Sequence, residues 1–281
     1  MRLKDQLFAM PRIENRLRSF KETVYRGPIR AFSRALGVEQ VLQVGYRTVL
    51  SLVQSKIITH EASGAKAEFY RTDFIPSNLP ERSVTEDLIS NLSTDDIFYD
   101  LGANRGLYTC LAGNIVENGE VHAFEPNPIA VSDLEQNIQH NNLLSRVFIH
   151  QKAVSDSGEE IPFLVRSDST GNTLQTTTVD EEDSETITVE SINLDDYIIE
   201  NNLPHPTIMK IDIEGAEIDA LNSMDLSLED CKIVYCEVHK DMIDSPDSVL
   251  PADLLRGRGF REIERLYDRS NTHYILKATR V

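Results

Sequence analysis

Residues 100–106 read "DLGANRG" and follow the apolar run 97–99. An apolar run, a glycine turn and a helical pattern in this order are typical of a strand that leads into a helix beside a bound nucleotide or a related ligand. The turn has the spacing Gly102-x-x-x-Gly106 and lacks the G-x-G-x-x-G pattern, in which a middle glycine makes room for a pyrophosphate. Because Asn104 carries a side chain where that room would be needed, the turn favours a ligand without phosphates.

The sequence around this turn alternates between strand-length apolar runs and helical patterns, which predicts a parallel sheet covered on both faces. The five apolar runs are 97–103, 120–125, 147–154, 207–213 and 232–238. Two further runs at 261–266 and 273–277 are joined by a turn too short for a crossover, so they must form an antiparallel hairpin. We therefore predict an α/β fold with a doubly wound, mainly parallel seven-stranded sheet ending in an antiparallel hairpin, which is the strand plan of class I methyltransferases.

The chain divides into two predicted parts. Residues 1–60 show apolar residues at helical spacing with arginines between them, which predicts a helical N-terminal extension, and residues 61–281 form the methyltransferase-type domain. The extension is either a cap on the core or a basic interfacial helix that contacts an anionic membrane or a partner. In the second part, Ser83 and Glu86 match a capping box and predict a helix that opens near Ser83. The acidic insertion 156–190 is predicted to be mostly solvated loop with one or two β-runs, and such insertions commonly shape a substrate pocket.

Charge excludes one class of partner. The formal net charge is −18 and the pI is about 4.8, a balance that repels nucleic-acid phosphates. Residues 1–50 carry ten Arg or Lys against four Asp or Glu, hence +6, so the remainder carries −24. Arginine outnumbers lysine by 19 to 9, and a highly acidic, lysine-poor composition resembles proteins of salt-loving microbes.

Location is predicted from cysteines and apolar runs. Cys110, Cys231 and Cys236 show no metal-ligand spacing and an odd count, which predicts reduced core thiols. No signal peptide and no apolar run of about 18 residues are found. We therefore expect a cytoplasmic protein, with the inner face of the membrane as an alternative location for the basic N-terminal part.

The ligand that fits the glycine turn is S-adenosylmethionine. Its amino-acid end offers an ammonium group for Asp100 and a carboxylate for backbone N–H groups near the helix start, where the helix dipole favours an anion. Glu125 ends the next predicted strand about twenty residues further on, where an acidic residue accepts hydrogen bonds from both ribose hydroxyls. The alternative is that Glu125 only interacts with a helix N-terminus, since Pro126 and Pro128 suit a helix start.

Two further motifs place charged groups at strand ends. In "IMKIDIEGAE", residues 208–217, Lys210, Asp212 and Glu214 alternate with apolar residues, so the three charges share one side as the strand leaves the sheet. "CEVH", residues 236–239, ends the next strand with His239. Charges of this kind are costly to bury without partners, which indicates the active-site edge of the sheet.

The motifs "FYDLGANRGLYT", "HAFEPNP", "INLDDYI", "MKIDIEGAEIDAL" and "IVYCEVH" resemble, in order and spacing, those of the FkbM-type methyltransferases. The resemblance covers residues 64–240 and implies S-adenosylmethionine-dependent O-methylation of a hydroxyl on a sugar, glycan or secondary metabolite. It also implies positions for the cofactor and the reacting methyl. Matching residues are Asp100, Gly102, Asn104 and Gly106 around the methionine part, Glu125 on the ribose, Ala153 near the adenine and Asp212 near the methyl.

A hydroxyl needs a base to become nucleophilic, and a positioned base contributes about 10² to 10⁴-fold. His239 has the best intrinsic pKa, while Asp212 and Glu214 are alternatives as base or as orienting groups. The open alternatives are that His239 is structural, that Glu217 merely decorates a helix start, and that Asp212, Glu214 and Glu237 gather a divalent cation. We expect no metal in the site.

Other functional classes are rival hypotheses. Under the scaffold hypothesis, the protein keeps the fold without catalysis and binds a glycosyltransferase through residues 1–60. A nucleic-acid methyltransferase is disfavoured by the charge and by "DIEG" at the end of the fourth strand, where an aromatic-proline motif would be expected. A nicotinamide oxidoreductase is disfavoured by the glycine spacing. The expected acceptor is a small-molecule or glycan hydroxyl, with lipid-linked sugars included, and no nucleic acid.

Overall fold

The computed structural model describes residues 57–70, 78–166, 173–174, 184–239, 250–270 and 273–280. The chain separates into two compact units, residues 1–58 and 59–281. The predicted helices of residues 1–56 lie outside the described residues, and residues 57–60 lie in a strand. Within the described part, no helix has both the length and the apolar character needed to cross a membrane.

The described residues form thirteen strands and six helices. The strands are β1 Ile57–Ala62, β2 Ala65–Tyr70, β3 Ile97–Leu101, β4 Glu120–Phe124, β5 Val147–His150, β6 Ala153–Val154, β7 Glu160–Arg166, β8 Thr173–Leu174, β9 Ser184–Ile192, β10 Ile208–Ile211, β11 Ile233–His239, β12 Glu262–Asp268 and β13 His273–Thr279. The helices are α1 Arg82–Asn91, α2 Leu107–Gly113, α3 Pro128–His140, α4 Leu194–Asn201, α5 Glu217–Asn222 and α6 Pro251–Gly257.

The central sheet has seven strands in the order β12-β13-β11-β10-β3-β4-β5. Its five strands from β11 to β5 are parallel, and β13 is antiparallel to both β11 and β12. The predicted fold class is therefore confirmed. The chain runs outward from β3 through β4 to β5 and then returns to the other side of β3 as β10. This reversal is a topological switch point, and ligands bind outside the carboxyl ends of the strands at such points.

Alternate residues of the central strands face opposite layers. Tyr99, Leu101 and Ile211 pack in one core with residues of α4, α5 and α6. The residues between them, Asp100 and Lys210, are paired across neighbouring strands and point to the opposite face, where they meet α2. Because side chains alternate between the two faces of a strand, both charged side chains lie between the sheet and α2, directly below the switch point.

Three local predictions need correction. The helix α1 begins at Arg82, its N-cap is Glu81 in a left-handed conformation, and the cap makes no side-chain hydrogen bond, so the capping box at Ser83 is wrong. The predicted strand 147–154 is divided between β5 in the central sheet and β6 in a second sheet.

The third correction concerns the acidic insertion. Its described residues include three strands, β7, β8 and most of β9, where one or two β-runs were predicted, and β7 and β9 pair antiparallel over seven residues within a four-stranded sheet of order β6-β9-β7-β8. Its apolar residues Phe163 and Val189 pack against Ala153. An antiparallel sheet with one solvated face keeps charged residues on alternate positions, and Pro162 weakens the strand signal further.

Candidate functional site

The glycine turn and the turn after β10 touch each other at the switch point. A Cβ atom on Gly102 would lie 1.8 Å from the backbone oxygen of Asp212, and Gly102 has φ +82°. The Asp212 N–H donates to the Leu101 oxygen at 2.9 Å, so the ladder between β10 and β3 continues up to this contact. Only glycine fits here, both in conformation and in space.

The glycine turn is held by the strand beside it. The N–H groups of Gly102 and Ala103 both donate to the Phe124 oxygen at 2.9 and 3.0 Å, and the Asn104 N–H donates to Glu125 Oε2 at 2.8 Å. These three donors are therefore already engaged within the protein. The expectation that turn N–H groups bind the cofactor carboxylate does not extend to them.

The same turn is fixed from behind by α3. Arg105 Nε donates to Asp133 Oδ2 at 2.6 Å, and Asn137 Nδ2 donates to the Arg105 oxygen at 2.9 Å. Gly106 has φ +85° and is the N-cap of α2, where a Cβ would lie 2.4 Å from Leu134 Cδ1. Gly106 thus lets the helix start close to α3 and shapes the turn from outside the cavity.

Glu125 follows β4 and is only 6% exposed. Its Oε1 accepts the N–H of Asn127 and its Oε2 accepts the N–H of Asn104, both at 2.8 Å. Burial raises its pKa to about 7, although these two hydrogen bonds favour the carboxylate. Each oxygen keeps a further lone pair, so this carboxylate can accept two more hydrogen bonds from a diol.

A cavity of about 630 Å³, including the part open to solvent, lies at this edge of the sheet. Its walls come from the glycine turn, the end of β4, the turn after β10 and the second sheet. Residues on these four walls include Gly102, Asn104, Phe124, Glu125, Lys152, Ala153, Phe163, Asp212 and Glu214.

Asp100 lies below the cavity and is 1% exposed. Its Oδ2 accepts the Thr109 hydroxyl at 2.6 Å, while its Oδ1 is buried and has no hydrogen-bond partner among the described residues. Burial raises the pKa of this carboxyl, against the opposing charge of Lys210. An unsatisfied buried acceptor indicates a donor that binds here.

Lys210 and Asp212 form an ion pair at 2.8 Å. Burial alone would lower the pKa of Lys210, but Asp212 and Asp100 outweigh burial and raise it. Burial acts to raise the pKa of the Asp212 carboxyl, but the charge and hydrogen bond of Lys210 outweigh burial and lower it. The Lys210 charge therefore favours the carboxylate form of Asp212 and makes this group a weak base.

Glu214 follows in a sharp turn, with φ +50° at Glu214 and +99° at Gly215. The predicted strand alternation ends at Ile211, and this turn brings Glu214 to the cavity wall. Burial, followed by the charge of Asp212, raises the pKa of Glu214 to about 7. A non-glycine residue in a left-handed conformation stores strain, which is common at functional sites.

His239 ends β11 beside Glu214 but does not line the cavity. Its Nδ1 lies 2.6 Å from Glu217 Oε1, and its Nε2 lies 3.4 Å from Glu214 Oε2. Burial acts to lower its pKa, but the hydrogen bond and charge of Glu217, with Glu214 and Asp212, outweigh burial and raise it. Glu217 is 1% exposed and so is not a decorating residue on a helix surface.

A second group of charges surrounds Glu237, on the same strand as His239. Its carboxyl contacts His273 Nε2 and lies 3.5 Å from Arg269 Nη1, while Arg269 also pairs with Glu81. Burial, then the charges of Asp212 and Glu81, raises the pKa of Glu237 to about 10.

Within the described residues, two sets of side chains bring ligand-type atoms within 4.8 Å of one another. One set is Asp212, Glu214 and His239, and the other is Glu237, His239 and His273. Both include His239, so a metal ion on either set would compete with proton transfer at this imidazole.

The structure brings most of the predicted site residues together. Gly102, Asn104, Glu125, Ala153, Asp212 and Glu214 line one cavity, whereas Asp100, Gly106 and His239 stand behind its walls. Sequence reasoning missed Lys152, Phe124 and Phe163 in the walls and misjudged Glu217. The helical spacing of Glu214 and Glu217 gave no signal for the contact with His239, because that contact joins two different elements.

The sheet order, the glycine turn at the switch point and the acidic residue after the next strand together define a class I methyltransferase fold. Residues 100–262, more than half of the chain, match the model of the methyltransferase FkbM domain. The chain therefore belongs to the FkbM methyltransferase family, as the resemblance predicted.

Relatives share part of this chain. The hexuronic acid methyltransferase AglP of Haloferax volcanii is 26% identical over 159 residues, which is 57% of this chain and 62% of that protein. Methyltransferase 1 of Beauveria bassiana is 26% identical over 168 residues, 54% of this chain and 63% of that protein. The matched segment thus spans less than two thirds of each relative. A methyltransferase FkbM structure from Methylobacillus flagellatus superposes with TM-score 0.47 and 18% identity, covering 67% of this chain and 44% of that one.

Proposed function

We propose that this protein is an S-adenosylmethionine-dependent O-methyltransferase that acts on a hydroxyl of a sugar or glycan. The observation that carries this proposal is that one cavity is lined by the glycine turn, by Glu125 and by the carboxylates Asp212 and Glu214. The first two suit a nucleoside cofactor, and the last two suit an acceptor that must lose a proton. Family membership supports methyl transfer as the reaction.

Three features of the protein fit the cofactor. Glu125 offers two buried oxygens with spare lone pairs for a ribose diol, and Gly102 leaves a backbone surface that a side chain would fill. The unsatisfied Oδ1 of Asp100 is an acceptor for an ammonium group near the same turn. Ala153 and Phe163 supply apolar walls for the adenine. When bound, S-adenosylmethionine supplies an activated methyl group.

The protein's own residues then prepare the acceptor hydroxyl. Glu214 lines the cavity, and its pKa of about 7 suits a general base near neutral pH. Asp212 is ionised through Lys210 and is better suited to orient the hydroxyl by accepting its hydrogen bond. His239 stands behind Glu214 and acts on it across 3.4 Å.

The charge of the acceptor side favours a neutral acceptor. Four carboxyl groups gather there, on Asp212, Glu214, Glu217 and Glu237, and Glu214 and Glu237 already have raised pKa values. The carboxylate of a bound uronic acid would be repelled by these four carboxyl groups, and the repulsion would weaken its binding. We therefore infer that the hydroxyl of a neutral sugar is preferred over the carboxyl of a uronic acid, even though the name of the Haloferax relative specifies a hexuronic acid.

Isothermal titration in high salt tests the cofactor first. We expect micromolar binding of S-adenosylmethionine and no binding of NAD. Methyl transfer to free and lipid-linked glycans, neutral hexoses and uronic acids is then compared by mass spectrometry. Turnover on neutral hydroxyls supports the proposal, whereas a folded protein that binds no S-adenosylmethionine favours the scaffold hypothesis.

The location of the reaction is a separate part of the proposal. Residues 1–50 carry a net charge of +6, which suits contact with an anionic membrane or with a partner of the glycosylation machinery. Sedimentation with anionic and with neutral vesicles at low salt tests this contact. Binding to anionic vesicles alone supports the membrane, and binding to neither favours a cytoplasmic protein.

A further inference from the structure

A carboxylate, an imidazole and a second carboxylate form a line from the protein interior to the cavity. Glu217, the first residue of α5, is 1% exposed, and its Oε1 accepts the Gly215 N–H at 3.0 Å as well as contacting His239 Nδ1 at 2.6 Å. His239 has a 5% exposed side chain, and its Nε2 has no hydrogen-bond partner among the described residues. Glu214, 3.4 Å from that Nε2, is the member of the line that reaches the cavity.

This arrangement fixes the tautomer of the imidazole. An ionised Glu217 can only accept hydrogen bonds, so the proton of a neutral His239 lies on Nδ1 and the lone pair lies on Nε2. The Gly215 N–H donates to the same Glu217 oxygen and holds it in place. The ring is thus aimed at Glu214 before any acceptor binds.

We propose that Glu217 is a positioning residue that makes His239 the final proton acceptor of the reaction, reached through Glu214. This inference rests on the proposed function. The acceptor O–H bond breaks as its proton moves to Glu214, and the acceptor oxygen forms its bond to the methyl carbon as the bond from that carbon to the cofactor sulfur breaks and leaves its electron pair on sulfur. The proton then leaves Glu214 for His239 Nε2, and the Glu217 carboxylate stabilises the resulting imidazolium. Glu214 remains the catalytic residue that touches the acceptor.

Several charged groups face the His239 ring, and they set where it titrates. They are Glu217 on α5, Asp212 and Glu214 after β10, Glu237 on β11 and His273 on β13. Glu217 is the nearest carboxylate, and with Glu214 and Asp212 it favours the imidazolium. Arg269, just after β12, lies beside Glu237 and His273. The variant that isolates the contribution of Glu217 is therefore Glu217→Gln, which keeps the shape and the Nδ1 contact but removes the charge.

The test is the pH dependence of kcat for methyl transfer by the full chain. Loss of the Glu217 charge makes the His239 imidazolium less favourable, so the acid limb of the profile should move to lower pH by about one unit. A less basic acceptor also lowers the rate on the plateau, by about ten-fold for one pKa unit at most. The KM for S-adenosylmethionine and its calorimetric affinity should stay near those of the wild type. Glu217→Asp restores the charge, and its limb should return toward the wild-type position.

Asp219→Asn is the matched control, because it removes one negative charge from the exposed side of the same helix and should leave the profile unchanged. A Glu217→Gln enzyme with reduced kcat but an unmoved acid limb would make Glu217 merely structural and overturn the inference. Loss of wild-type activity on chelation, with recovery on Mn²⁺, would also overturn it by making His239 Nε2 a metal ligand. Failure of the wild type itself to bind S-adenosylmethionine would instead refute the proposed function.

Discussion

Glu125 offers a direct link between the cofactor site and the stability of the cofactor-free protein. Its pKa is raised from 4.5 to about 7 in the fold, mainly by burial. When the pKa of a carboxyl is higher in the folded than in the unfolded protein, the group does not affect stability at a pH below its unfolded-state pKa. Stability is lost as the pH rises from the unfolded-state pKa to the folded-state pKa. At about 1.4 kcal/mol per pKa unit, the loss is about 1 kcal/mol at pH 5 and about 3 kcal/mol at pH 8.

The substitution Glu125→Gln removes this titration. Its amide turns an NH₂ group toward one of the two backbone donors, which costs about 1 to 3 kcal/mol, but that cost does not depend on pH. The stability of the variant relative to wild type should therefore rise by about 2 to 3 kcal/mol between pH 5 and pH 8. Because the chain has no tryptophan, urea unfolding of the cofactor-free protein is followed by far-UV circular dichroism.

The control is Glu135→Gln, which changes an exposed glutamate on α3 and should show no such pH-dependent difference. A constant difference between Glu125→Gln and wild type across this pH range would refute the reasoning about burial. The same variant should bind S-adenosylmethionine more weakly by about 1 to 3 kcal/mol, because charge-assisted hydrogen bonds to the ribose are lost. Unchanged calorimetric affinity would refute the ribose assignment.

Three other substitutions test the remaining walls of the site. Gly102→Ala should lower stability by more than about 2 kcal/mol and abolish cofactor binding, because the new Cβ collides with the Asp212 oxygen. The control is Gly158→Ala, whose Cβ meets nothing within 4 Å and which should change neither thermal unfolding nor cofactor titration. Lys210→Met leaves Asp212 without its cation and should cost about 3 to 5 kcal/mol, with a larger loss at pH 8 than at pH 5; equal losses would contradict the ion pair. Phe163→Ala should raise the dissociation constant of S-adenosylmethionine by about 10- to 100-fold, and normal affinity would remove the second sheet from the cofactor site.

The sequence was sufficient for the elements of the fold and for the ends of strands where the site lies. Apolar periodicity is a local property, so the alternation of strands and helices and the final hairpin could be read without knowing any contact. The motif around Gly102 and the motif around Asp212 follow neighbouring parallel strands, and a parallel sheet necessarily brings their carboxyl ends to one edge. Family membership rested on the same local motifs.

Only the tertiary structure decided which side chains meet at that edge. The contact between Glu217 and His239 depends on the left-handed turn at Glu214, which redirects the chain after β10 and cannot be inferred from a period of two. Asp100 lies below the cavity because its side chain is on the face of the sheet opposite the core that packs with α4, α5 and α6. The raised pKa of Glu214 likewise arises from burial and from Asp212, and burial exists only once distant segments have packed together.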